Sequence, residues 1–306
     1  MISKSKILSH TRSSSLPSRS HPLIPQFNDH LHRLRAATAA SDATSLPSLA
    51  ENLTNLDNLH GCIGDLLLLR HTRRVFRRER GEKWAEQVLD GYLGLVDAWA
   101  TAKDLLSHAR EHVLRLLSLL RRRRRRDLSA FLASRKAARK SAQRTLRNIT
   151  GLKHKPSAVA LDRDAETIAV ISMLKEAEAA TLDLVESLLC SVAGARRLGG
   201  GWSLVSRLIS SRNCSGQDRD RGRGRDRDDH KQHILEFCEL DAALEKLVSL
   251  RRFDGGDGGG VSAQVDELRL QLTETEGSLG VLEEKVEALF KRLIRTRVSL
   301  LNMQSN

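Results

Sequence analysis

The sequence predicts an all-α protein, an elongated multi-helix bundle with a long C-terminal heptad-patterned helix and a disordered N-terminal arm and linkers. Three observations predict it. Aromatic residues make up only 3% of the 306 residues while hydrophobic residues make up 40%, so a core has to be built from Leu, Val, Ile and Ala, the set that fills helix-on-helix interfaces. Apolar residues recur at spacings of three and four along most of the chain, and no run alternates as a half-buried strand does. The stretches between these periodic segments are rich in Ser, Pro, Gly or mixed Arg and Asp and have nothing to bury.

Residues 1–25 combine Ser runs with Pro17, Pro22 and Pro25 and read as a basic, Ser-rich disordered arm. A helical bundle is expected over 26–213. Asn28 or Asp29 can cap a short helix through Ala37, and Ser45 with Pro47 just inside opens a second helix. That helix carries Leu49, Leu53, Leu56, Leu59 or His60, Ile63 and Leu66 on one face. From Glu82 to Leu120 the series Trp84, Val88, Tyr92, Leu95, Trp99, Leu106, Val113 and Leu120 marks one long helix, about 55 Å from end to end. It runs into Arg121–Arg126 and a basic stretch to Lys155 that holds fourteen Lys or Arg against the single acid Asp127. Arg and Lys favour helix, so this stretch is expected to continue as an exposed helix.

Asp162 or Asp164 can cap the next helix, with Ile168, Ile171, Leu174, Ala177, Thr181, Leu184 and Leu188 on its face and Gly194 beyond its end. Trp202–Ile209 reads as one or two further helical turns, and residues 214–230 as a low-complexity Arg/Asp linker. The C-terminal part, 231–306, is expected to pack its helices on the bundle. A helix over Ile234–Leu250 comes first, then a Gly-rich linker over Asp254–Gly260, then the clearest pattern in the chain. Val265, Leu268, Leu272, Thr275, Leu279, Leu282, Val286, Leu289, Leu293, Thr296 and Leu300 alternate spacings of three and four without a break, the a/d seam of a heptad repeat. Leu268, Leu272, Leu279, Leu282, Val286, Leu289 and Leu293 are therefore a candidate helix-pairing seam. Leu270, Val281, Phe290, Ile294, Val298 and Leu301 widen the apolar stripe, which favours burial within the chain over a two-stranded coiled coil with another molecule. Gly277 and Gly280 lie inside this helix and each costs up to about 1 kcal/mol there.

A net charge of +13 implies an anionic partner: an acidic protein, an anionic membrane surface or nucleic acid. One Tyr, three Trp and six Phe are few for base-stacking platforms, so nucleic acid is not favoured. The basic stretch from Arg121 to Lys155 is expected to act as an electrostatic docking surface, with Arg121, Arg122, Arg123, Arg124, Arg125 and Arg126 as the candidate docking residues, a solvated helix face being the other use of the same charge. Cys62, Cys190, Cys214 and Cys238 stand apart without paired spacing, which argues against a disulfide framework or a zinc knuckle and fits a reducing compartment. No apolar run approaches the roughly 20 residues that span a bilayer. The acid-free Met1–Phe27 matches a transit peptide for chloroplast or mitochondrion as well as a plain basic tail, and cytoplasm or nucleus is the expected address.

Two short patterns carry chemistry. His108, Glu111 and His112 follow the H-x-x-E-H order of some zinc peptidases, but they adjoin the apolar series Leu106, Ala109, Val113 with no further acidic ligand in context, so neither a metal nor any other cofactor is expected. Arg12, Ser13, Ser15 and Pro17 spell R-S-x-S-x-P, the form read by 14-3-3 proteins after phosphorylation of Ser15, and Arg12, Ser15 and Pro17 form a candidate phospho-dependent partner motif. No GxSxG elbow, P-loop or strand-linked GxGxxG occurs in the sequence. An interaction protein is expected rather than an enzyme.

Several longer segments, in order, carry a resemblance. They are Ser18–Leu23 (SRSHPL), Leu89–Asp97 (LDGYLGLVD) with Lys103–Leu106, Arg135-Lys136 with Lys140-Ser141, Glu176–Leu189 (EAEAATLDLVESLL), Trp202–Leu208 (WSLVSRL) and Leu289–Asn302 (LFKRLIRTRVSLLN). Through them the chain resembles, over nearly its whole length, the plant-specific BYPASS-type proteins and their shorter relatives, a family of unknown biochemical activity. The resemblance implies a helical protein linked to root and shoot development, whose founding member is thought to restrain a mobile root-derived signal. It implies no catalytic residue.

Overall fold

The computed structural model describes residues 22–39, 45–78, 82–122, 128–153, 165–193, 237–250 and 258–305. Every regular element among them is a helix: α1 (Leu23–Ala39), α2 (Leu46–Leu68), α3 (Arg70–Arg78), α4 (Lys83–Arg121), α5 (Leu128–Lys153), α6 (Ala165–Val192), α7 (Phe237–Leu250) and α8 (Gly258–Ser305). The all-α bundle that the periodicity predicts is the fold observed.

Local signals explain some of the boundaries. Ser45 caps α2, its Oγ accepting from the Ser48 N–H at 3.4 Å, and Pro47 sits in the first turn, where its missing N–H costs nothing. α1 begins at Leu23, earlier than the Asn28 or Asp29 cap predicted and inside the expected arm. Pro25 fits that first turn for the same reason. A single extended residue, Leu69 (φ −64°, ψ 136°), separates α2 from α3, a short helix that the periodicity did not mark. α8 starts at Gly258, within the stretch expected to be a Gly-rich linker. The Asp162 or Asp164 cap, the Trp202–Ile209 turns and the 214–230 linker lie outside the described residues.

Four helices form a ring. α8 packs on α4 and α2, and α6 closes the other side by packing on the same two helices. α1 lies on α2 and α6, α5 on α4 and α6, α7 on α5, and α3 on α8, α2 and α6. Hydrogen bonds and ion pairs between side chains give the directions. Lys285 meets Thr54 and Arg292 meets Asp57, so α8 and α2 run parallel. Lys103 pairs with Glu287 while Arg110 pairs with Glu283 and Glu276, so α4 is antiparallel to α8. Gly91 and Gly94 let two neighbours approach α4. A Cβ at Gly91 would lie 2.6 Å from the Glu178 carboxylate of α6, and one at Gly94 would lie 3.3 Å from Leu152 of α5.

The heptad seam is the inner face of α8. Leu268 is 4% exposed, and Leu272, Leu279, Leu282, Val286, Leu289 and Leu293 are 0% exposed, all within the one hydrophobic core. The stripe is narrower than the sequence predicts. Phe290 packs partly against the core, but Leu270, Val281, Ile294 and Val298 are exposed, Leu270 at 59%, because α2 and α4 cover only the inner face and flanks of α8.

Where α2, α4 and α6 meet, the core holds a polar contact. His60 Nε2 lies 2.9 Å from Thr181 Oγ1, and that hydroxyl lies 2.6 Å from the Ala177 carbonyl. The Thr181 hydrogen goes to the carbonyl, so His60 donates through Nε2–H. Its ring meets Tyr92 edge-on at 6.1 Å between centroids. Burial lowers the His60 pKa to about 4, partly opposed by Asp57 and reinforced by Arg292.

Two opposite stability changes are expected on α8. Leu289→Ala should cost about 3 kcal/mol, within the usual 2–5 for a fully buried leucine, whereas Gly277→Ala, whose Cβ meets nothing within 4 Å, should add about 0.5–1 kcal/mol through helix propensity. Urea unfolding measures both, and a Leu289→Ala cost under about 0.5 kcal/mol would place the seam in solvent.

His60 sets a pH dependence. Its folded pKa lies below its unfolded value of about 6.5, so its share of the stability is complete above about pH 6.5 and is lost as pH falls toward 4. The loss at pH 4 should be on the order of 3 kcal/mol. Unfolding curves for the parent and His60→Gln should therefore diverge at neutral pH and converge as pH falls through this window, and parallel pH profiles would contradict it.

Candidate docking face

α5 contains no acidic residue over its 26 positions. Its inner face is nonetheless apolar. Phe131, Ala142 and Ile149 are buried, with Leu132, Leu146 and Leu152 packed against the core. The helix expected to be exposed is therefore half-buried, because these apolar side chains share one side of the helix and dock it on α4 and α6.

Polar contacts fix α5 at both ends. Near its start, Ser134 Oγ lies 3.2 Å from His112 Nε2 of α4. Arg135, only 3% exposed, donates to the Val192 carbonyl in the last turn of α6 at 2.9 Å and stacks its guanidinium 4.4 Å over the Phe237 ring of α7. A cation at a helix C-terminus satisfies an orphan carbonyl and complements the macrodipole, and the ring face adds a cation–π contact. At the far end Lys153 Nζ pairs with Asp183 at 2.6 Å and with Glu186.

Between these anchors the outer face is cationic. Lys136, Lys140, Arg144 and Arg147 are exposed and follow spacings of four, four and three, which puts them on one side of the helix over about 16 Å. None of the four forms an ion pair among the described residues. Beside them Arg139 lines a groove of about 460 Å³ between α5 and α7, with Lys136 and Lys140 on its rim and Glu245 from α7. Such a face can hold carboxylates or phosphates by charge, and it offers no buried catalytic group.

The other residues singled out in the sequence are dispersed. Arg121 and Arg122 are exposed at the C-terminal end of α4, while Arg123–Arg126 lie outside the described residues, as do Arg12, Ser15 and Pro17. The helix-pairing seam is covered by the chain's own α2 and α4. His108 and Glu111 are exposed, but His112 turns inward, edge-on to Phe131 at 5.9 Å, with its pKa lowered chiefly by burial. No group of three or more His, Cys, Asp or Glu positioned for a metal occurs among the described residues, and no described helix is long and apolar enough to cross a membrane.

The sequence predicts a docking surface over the basic stretch from Arg121 to Lys155, with Arg121–Arg126 as its named residues, and charge density alone does not set Arg135 apart from the other cations of that stretch. The 4-and-7 spacing of Phe131, Arg135, Ala142 and Ile149 was the signal that Arg135 lies on the buried side. A family model described as Protein BPS1 matches residues 52–303. No curated protein and no solved structure matches the chain. The match takes in most of α2, all of α3 to α7 and nearly all of α8, hence the four-helix ring with α5 on its flank, and the chain belongs to the BPS1 family.

Proposed function

We propose that this BPS1-family protein is non-enzymatic and works through protein contacts in plant root and shoot development, with the outer face of α5 as the docking surface for an acidic protein partner. The carrying observation is the row of Lys136, Lys140, Arg144 and Arg147, exposed and without an ion pair among the described residues on a helix that has no acid. Like charges at this density repel one another, and an anionic partner relieves that repulsion. Elsewhere in the fold the cations Arg110, Lys153 and Arg292 are matched by carboxylates. The developmental role rests on the family resemblance, and the cytoplasm or nucleus is the proposed place of action.

The test compares the parent with a variant in which Lys136, Lys140, Arg144 and Arg147 are all Gln, which keeps helix propensity nearly constant. Bait retained from root and shoot extract should include acidic proteins at low salt. It should lose them in the variant and at high salt, because the Debye length shrinks from about 10 Å at 0.1 M to about 3 Å at 1 M. Identical retention by parent and variant would remove the docking role. Binding of the parent to anionic vesicles or to a single-stranded oligonucleotide in place of proteins would replace the partner class.

A further inference from the structure

The α4–α8 edge changes character along its length. In one half it is ionic: Arg110 reaches Glu276 at 2.7 Å and Glu283 at 2.8 Å, and Lys103 pairs with Glu287. Lys103 also lies 5.5 Å from the centre of the Phe290 ring, which marks the crossover. Beyond it the antiparallel register brings the earlier part of α4 beside the later part of α8. Val96 stands seven residues before Lys103, about 10 Å along the axis, and Ile294 and Val298 stand about 6 and 12 Å past Phe290. That half of the edge is apolar and open. Leu93 is 40% exposed, Ile294 39% and Val298 48%, with Val96 and Phe290 partly buried beneath them. Large exposed hydrophobics scattered singly are unremarkable, but three converging on one inter-helix strip form a patch of the kind that marks an interface.

The flanks of this strip differ in sign. On the α4 side the residue turned furthest from the core is Asp97, and on the α8 side it is Arg295, both exposed and neither in an ion pair among the described residues. Asp97 lies about 9 Å before Lys103. Arg295 lies between about 7 and 12 Å past Phe290 and Glu287, so the two residues sit at the same level on opposite sides of the strip. A two-fold axis running along the strip keeps every residue at its level and exchanges the two flanks. It lays α4 of one molecule over α8 of the other, antiparallel, with Asp97 against Arg295 twice and the apolar strips face to face. The strip is thus self-complementary in shape of charge, the requirement of an isologous interface.

We propose that the protein forms a two-fold homodimer through the strip of Leu93, Ile294 and Val298, with Asp97 of each copy paired to Arg295 of the other. The heptad seam takes no part in it, being covered within each chain. The patch is small, so the dimer belongs to the weak, reversible class.

Sedimentation equilibrium of the full chain through the micromolar range is the test. The parent should shift from monomer to dimer with concentration, and Ile294→Glu should remain monomeric with unchanged helical circular dichroism. Should Ile294→Glu lose helix, Val298→Glu, at the more exposed of the two positions, serves the same purpose. Asp97→Lys and Arg295→Glu should each weaken the dimer by about tenfold or more, and the double variant Asp97→Lys/Arg295→Glu should recover most of the parent's affinity. A parent that stays monomeric throughout, as it would if another segment of the chain or a different protein covers the strip, overturns the proposal. So does a dimer indifferent to Ile294→Glu, or a double variant no better than the singles.

Discussion

The seam of α8 is covered from two sides at once, and the rest of the architecture follows from how α2 and α4 are held to provide that cover. Burying a leucine fully is worth about 1.5–3 kcal/mol, and Leu272, Leu279, Leu282, Leu289 and Leu293 are all withdrawn from solvent. A helix of 48 residues with Gly277 and Gly280 in its interior has no such stability alone. α2 and α4 in turn need α6 on their opposite side, where His60 bonds Thr181 and Gly91 admits Glu178. Each helix of the ring of four thus has two neighbours within it, and α1, α3 and α5 cover apolar faces that the ring leaves outward.

Charge does two different things in this molecule. Arg110 with Glu276 and Glu283, Arg292 with Asp57, and Arg78 with the Thr167 hydroxyl at 2.8 Å fix register between helices that apolar packing alone would let slide. Exposed pairs contribute little to stability, but they discriminate between registers because a slip of one residue leaves several carboxylates and guanidinium groups unmatched at once. Lys136, Lys140, Arg144 and Arg147 fix nothing inside the fold. The contrast between cations used in packing and a row of cations gathered on one acid-free helix face is what supports the proposed docking role of α5.

Much of this was legible in the sequence where periodicity is long. The seam of α8 and the inner face of α4 could be read residue by residue, since a pattern of three and four sustained over many turns admits one helical face. Short elements were not legible. α3 is marked by neither Gly nor Pro, and its break from α2 is one extended residue, Leu69; α1 begins before its best capping residues because Pro25 is compatible with a first turn. The candidate face was half legible. Density of charge drew attention to Arg121–Arg126, but which cations remain unpaired depends on contacts such as Arg135 with Val192 and Lys153 with Asp183, made between residues 57 and 30 positions apart, and no local pattern records them.

The dependence of the whole fold on the α8 seam is open to direct measurement by native-state hydrogen exchange across a denaturant series. Amides of α8 from Leu272 to Leu300 should exchange with the same free energy and the same denaturant slope as those in the buried centres of α2 and α4, all equal to global unfolding. If α8 instead exchanges through a local opening of much lower free energy while α2, α4 and α6 stay protected, the bundle stands without it, and the central role assigned to its seam is wrong.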